Sequence, residues 1–185
     1  MTSIFALSGS LRKGSYNSAL LRALVSVAPA DITVNVGSIR DVPPYDGDVE
    51  LAAFPQSVQQ LKDALIAAKG LLLVTPEYNN TIPGVLKNAI DWMSRPPADI
   101  AKVFKDKAVA IMGASDGLGG TRLSQTAWLP VFRTLGMRPW YGGTLYMASA
   151  SASFDANGNL TDDKMKERLK KYLEGFKAFI DEQYR

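Results

Sequence analysis

With 185 residues, 46% of them hydrophobic and 21% charged, the chain is expected to fold as a single domain over residues 1–185, large enough for a proper core. The 21 Lys and Arg against 18 Asp and Glu leave a net charge of +3, too weak a basic bias to indicate nucleic acid as a partner. Histidine and cysteine are both absent, which excludes disulfides, a thiolate nucleophile, Cys/His metal sites and Ser-His or Cys-His catalytic pairs.

Short apolar runs alternate with amphipathic ones along the chain. Residues 3–8 read as a buried strand, and 16–27 as a helix with Leu20, Leu21, Leu24 and Val27 on one face. Residues 32–36 form a second strand, and the Pro-rich polar stretch 40–50 is expected to be loop. Residues 54–69 read as a helix carrying Val58, Leu61, Leu65 and Ile66 in register, ended by Gly70. The run Leu71-Leu72-Leu73-Val74 is the most apolar in the chain and reads as a central strand. Pro83 is placed in the first turn of the next helix, whose stripe is Leu86, Ala89, Ile90 and Met93, and Arg95-Pro96-Pro97 stops it.

Residues 108–112 are a fourth strand, and 120–135 a helix that Pro130 should kink or split. A fifth strand is placed at 140–146 and a turn at Asn157-Gly158. The last helix, 161–182, repeats Met165, Leu169, Tyr172, Phe176 and Phe179/Ile180 at helical spacing, with Thr161 as its expected N-cap. Five strands alternating with about five helices imply a parallel α/β sheet, doubly wound with right-handed crossovers. No segment approaches the roughly 20 apolar residues of a membrane span, and the first residues lack the basic and apolar regions of a leader. A soluble, cytoplasmic protein with no membrane partner is expected.

Ligands of such sheets bind at the carboxyl ends of the strands. Three polar, Gly-containing loops follow strands one, three and four: residues 9–18, 76–83 and 113–121. The first, Gly9-Ser10-Leu11-Arg12-Lys13-Gly14-Ser15-Tyr16-Asn17-Ser18, runs into a helix N-terminus and suits an anion, with Arg12, Ser10, Ser15 and Asn17 as donors. A solvated turn that merely caps the helix is the plainer reading. Gly9 and Gly14 have P-loop spacing, but Ser15 stands where that motif requires Lys. The G-x-G-x-x-G fingerprint of dinucleotide sites is also missing, so a monophosphate fits better than a triphosphate or a tightly held dinucleotide.

In the second loop two prolines stiffen the backbone and Tyr78 offers a flat face for a planar heterocycle, or simply fills a gap. Glu77 alone supports neither a general base nor a metal site, and a capping or bracing role is commoner. The third loop, rich in Gly, permits close backbone approach. Asp155, Asn157 and Asn159 echo a calcium loop, but Gly158 is misplaced and a polar turn is the better reading.

The segments Gly9-Ser10-Leu11-Arg12-Lys13-Gly14-Ser15-Tyr16-Asn17, Pro76-Glu77-Tyr78-Asn79 and Pro83-Gly84-Val85-Leu86-Lys87-Asn88-Ala89-Ile90-Asp91-Trp92 together resemble the NAD(P)H-dependent FMN reductase family, in its quinone and chromate reductase branch. The resemblance implies a flavodoxin-like fold of five parallel strands in the order 2-1-3-4-5, in three α/β/α layers. It implies that Ser10, Arg12, Ser15, Tyr16 and Asn17 hold the FMN phosphate. It places Pro76, Glu77, Tyr78 and Asn79 against the isoalloxazine ring, and Ser115 and Gly117 on it from the third loop. It further implies NADPH or NADH as donor and a small acceptor (a quinone, free flavin, an azo compound or chromate) using one site in turn with ping-pong kinetics. No catalytic side chain is named, because the flavin carries the chemistry, and a homodimer or homotetramer is implied. A flavodoxin-like electron carrier is the rival, but carriers of that kind tend to be acidic and this chain has a pI of about 9.1.

Overall fold

Alternation of side chains along three apolar strands sets the architecture of the computed structural model, which describes residues 1–183. The strands are β1 (Thr2–Ser8), β3 (Gly70–Val74) and β4 (Ala108–Ala114), with β2 (Ile32–Gly37) outside β1. All pair in parallel, in the order β2-β1-β3-β4, with β5 (Arg138–Pro139) beyond β4. Ile4, Ala6, Leu72, Val74, Ala110 and Met112 face one side, where α1 (Tyr16–Ser26) and α8 (Asp163–Glu182) cover them. Phe5, Leu7, Leu71, Leu73 and Val109 face the other. There they meet α3 (Gln56–Ala67), α4 (Gly84–Met93) and the pair α6 (Arg122–Ala127) and α7 (Leu129–Thr134). The expected helix at 120–135 is split at Trp128, as Pro130 foretold.

The fifth sheet position departs from expectation. In place of one strand at 140–146 there are two two-residue strands, β5 (Arg138–Pro139) and β6 (Tyr146–Met147), giving six strands among the described residues rather than five. Both pair with β4, one at each end of it. The chain leaves the sheet between them because Trp140 turns inward against Tyr172 and Phe176. A Cβ on Gly142 would lie 2.4 Å from the indole Nε1, and one on Gly143 would lie 2.7 Å from the ring, so only glycine can wrap this tightly. The Ile111 carbonyl, next in line on this edge of β4 after the Val109 carbonyl that accepts from the Trp140 N–H, accepts the Tyr172 hydroxyl at 2.8 Å. Burial pushes the Tyr172 phenol far above its ordinary value, so it remains a donor.

Three smaller expectations are corrected. The stretch 40–50 is not all loop: α2 (Gly47–Ala52) begins within it, because the Asp46 carboxylate accepts from the Asp48 N–H and caps a helical turn. Pro83 is the N-cap residue of α4 rather than a residue of its first turn. Asp162, not Thr161, caps α8 by accepting from the Lys164 and Met165 N–H groups, while the Thr161 N–H and hydroxyl are both spent on the Ser153 carbonyl. The short helix α5 (Ile100–Val103) follows a 3-10 turn at Pro97–Asp99, and a second 3-10 turn spans Ala150–Ser153. Asp155 accepts from the Asn157 and Asn159 backbone N–H groups, making a polar turn. No helix among the described residues is long and apolar enough to cross a membrane.

Candidate functional site

The strand order puts the carboxyl ends of β1, β3 and β4 side by side, with Ser8 opposite Val74 and Val74 opposite Met112. The three Gly-containing loops therefore emerge together on one edge, as the alternation of elements required. Small residues let them converge. A Cβ on Gly113 would come within 2.1 Å of the Thr75 carbonyl oxygen, and one on Gly9 within 2.8 Å of Pro76 and Leu86.

The first loop ends at Ser15, whose hydroxyl accepts from the Ser18 N–H and caps α1. At such an end the Tyr16 and Asn17 N–H groups have no partner within the helix, and the dipole favours an anion. Ser10 accepts from the Arg12 N–H, and the exposed Arg12 guanidinium donates to the Gly14 carbonyl at 2.8 Å. Asn17 does something else. Its side-chain amide donates to the Ala114 carbonyl and accepts from the Ala114 N–H, both at 2.9 Å and both buried. It mimics a strand and locks the first helix to the start of the third loop.

In the second loop Tyr78 and Thr81 exchange both backbone hydrogen bonds across Asn79 and Asn80. These two asparagines have φ of 50° and 61°, the left-handed pair that a tight hairpin turn needs and that Asn tolerates. The turn leaves Tyr78 about half exposed at the rim. The Glu77 carboxylate accepts from the Leu123 N–H (2.8 Å) and the Ser124 N–H (3.0 Å), bracing the second loop on the first turn of α6. Below it, buried Thr75 donates to the Pro76 carbonyl and shares a hydrogen bond with Ser124.

The third loop is folded back on itself by the Ser115 hydroxyl, which donates to the Gly120 carbonyl, with Gly117 beside it at the exposed tip. Asp116 ties this loop down by accepting from the Ser151 N–H at 2.7 Å. That bond, the Ser151 hydroxyl, the Tyr16 hydroxyl and the nearby Arg12 charge hold its carboxyl below the usual carboxylate range. Leu118 at the tip is almost fully exposed.

Of the expected residues, Ser10, Arg12, Ser15 and Tyr16 gather at one helix N-terminus, Pro76, Tyr78 and Asn79 lie on the second loop, and Ser115 and Gly117 on the third. Asn17 and Glu77 join loops to one another through backbone groups. Arg40 escaped the sequence reading: its guanidinium donates to the Leu11 carbonyl at 2.8 Å and so holds the first loop from the β2 side. It lies in a polar, Pro-rich stretch with no motif to mark it.

The donor set fits FMN. A phosphate would meet an exposed guanidinium, hydroxyls and helix-terminal amides in a loop without acidic residues. A flat ring would meet the half-exposed Tyr78 and closely approaching backbone.

Comparison with known proteins identifies the family of the chain. The family model for NADPH-dependent FMN reductase matches residues 2–152. The chain is 38% identical over 177 residues to an NAD(P)H-dependent FMN reductase of Pseudomonas aeruginosa, covering 96% of this chain and 94% of the other. It is 36% identical over 172 residues to a 2-hydroxy-1,4-benzoquinone reductase of a Burkholderia species, covering 93% and 92%. Among solved structures it is similar to FerB, a flavoenzyme NAD(P)H:(acceptor) oxidoreductase of Paracoccus denitrificans, with TM-score 0.88, 31% identity and 98% of each chain covered.

Proposed function

The chain belongs to the NADPH-dependent FMN reductase family, and from this we propose how its three loops divide the work of an FMN-dependent NAD(P)H:quinone oxidoreductase. When bound, FMN supplies the two-electron chemistry, taking a hydride from NAD(P)H and passing electrons to a small acceptor. The protein's own tasks are to bind, to orient and to exclude water. Arg12, Ser10, Ser15 and the first N–H groups of α1 hold the phosphate. The backbone of residues 76–79, stiffened by Pro76 and the Asn79-Asn80 turn, and the loop around Ser115 and Gly117 position the ring. Glu77 and Asn17 serve this site by bracing loops, and neither touches a reacting atom.

The observation that carries this reading is the convergence of three loops on adjacent strand ends, with the anion donors confined to one of them. Donor and acceptor use one exposed face in turn, so the kinetics are ping-pong. The exposed Leu118, Leu123 and Tyr78 around that face support its partial cover by a second copy in a homodimer or homotetramer.

An anaerobic titration of the FMN-loaded protein with NADPH, followed by a benzoquinone, tests the reading. Bleaching of the flavin spectrum and its recovery on adding the quinone are expected. A bound flavin that both NADPH and NADH leave oxidised would overturn it and favour an electron carrier.

A further inference from the structure

A cavity opens beside the first loop, on the β2 side. It encloses about 430 Å³, within the usual range of small-molecule sites. Its walls are unlike those of the phosphate loop. Leu21, Val25 and Val36 make an apolar slot, and Val25 and Val36 are 37% and 56% exposed although they flank packed elements. Arg22, Arg40, Ser8, Ser10, Ser18 and Ser38 supply the polar lining, and no carboxylate lines the cavity among the described residues.

Resting on the NAD(P)H-dependent reading above, we propose that this cavity receives the adenosine 2′-phosphate end of NADPH, with Arg40 as the residue that selects NADPH over NADH. Three features support this. Gly37 at the end of β2 and Ser38, Ile39 and Arg40 directly after it line the cavity, so the Arg40 guanidinium sits at a site where no carboxylate among the described residues competes for it. Arg40 is held in place by its bond to the Leu11 carbonyl, which occupies one of five guanidinium donors and leaves the fork able to take a phosphate. Ser10 and Leu11 line the cavity and also belong to the phosphate loop, so the cavity adjoins the flavin site. Arg22 is the lesser contributor. Its guanidinium is turned to the Gly158 carbonyl at 3.5 Å, and Gly158 is not among the residues lining this cavity.

The adenosine end can be tested without turnover. FMN-loaded protein is titrated calorimetrically with adenosine 2′,5′-bisphosphate and with 5′-ADP, as wild type, Arg40→Ala and Val36→Trp. The bisphosphate should bind wild type more tightly than 5′-ADP. Arg40→Ala should weaken the bisphosphate by about tenfold or more, the loss of one charge-assisted contact, and reduce the NADPH-over-NADH ratio of kcat/KM by a similar factor. Val36→Trp, which fills the slot and leaves the Arg40–Leu11 bond intact, should weaken both nucleotides. Bound flavin absorbance in each variant reports whether the first loop survives. Unchanged bisphosphate affinity in both variants, with NADPH still reducing the flavin, would overturn the cavity assignment alone. A wild-type flavin that NADPH fails to reduce would overturn the functional reading and the assignment with it.

Discussion

Asn17→Ala separates two roles that the same residue could play. If Asn17 clamps Ala114, its loss strands a buried N–H and a buried C=O, since both residues are almost wholly inaccessible. Each orphaned group costs about 1–3 kcal/mol, so the pair costs about 2–6 kcal/mol. Against a domain stability of about 5–15 kcal/mol this is a large fraction. It should lower the urea midpoint by about 1–2 M for a protein of this size. The measurement is urea unfolding of FMN-free protein followed by circular dichroism, because there the phosphate contributes nothing. Asn17→Asp adds a sign test. Its carboxylate would accept from the Ala114 N–H but oppose the Ala114 carbonyl in a buried setting, raising the folded-state pKa. A raised pKa gives stability that is present below the unfolded value and lost as pH rises, so the Asp variant should recover as pH falls toward about 4. An apo protein that unfolds at the wild-type midpoint in both variants would refute the clamp and leave Asn17 a phosphate ligand.

Two other perturbations follow from the same geometry. Tyr172→Phe leaves the Ile111 carbonyl without its hydroxyl donor and should cost about 1–3 kcal/mol by urea unfolding. Because burial raises this phenol, the deficit should be constant from about pH 5 to 9, and a loss confined to alkaline pH would contradict the assignment. The Asp116 carboxylate, held below its ordinary value chiefly by Ser151, stabilises the third loop above the unfolded carboxylate pKa of about 4, and that stability is lost as pH falls through the folded value. Amide exchange at Ser151 should therefore be slow and flat from about pH 5 upward after correction for intrinsic rates. In Asp116→Asn it should be faster there, and equal protection in the two proteins would refute the tie.

Most of the scaffold could be read from the chain because each strand carries its own address. The run 71–74, apolar on every residue, has only one place to go, the centre of a sheet covered on both faces. The residues that misled do so because their partners are remote in sequence. Residues 140–146 have strand-like composition, and only the Trp140 pocket, built by Tyr172, Phe176 and Gly175 from the last helix, pulls them out of the sheet. Lys62 sits in the apolar stripe of α3 and is buried because Asp99 and the Arg95 carbonyl come to meet its ammonium, which its own helix does not reveal. At the site, the loops and their chemistry were legible, since Gly, Ser and Arg cluster at strand ends. A bracing role for Glu77 was expected but its partners Leu123 and Ser124 were not, nor was the clamp of Asn17 on Ala114, because these partners lie far along the chain. Arg40 was invisible for the same reason: its importance is a place beside Leu11, not a motif.

The placement of the FMN phosphate on the first loop is tested most directly by measuring FMN and riboflavin affinities of wild type and Arg12→Ala through flavin fluorescence quenching. Riboflavin lacks only the phosphate, so it reports any general damage to the loop, including loss of the Arg12 bond to Gly14. FMN should bind the variant about tenfold to a hundredfold more weakly, the worth of a charge-assisted contact, with riboflavin unchanged. Equal losses for both flavins, or no loss for FMN, would contradict the assignment of this loop.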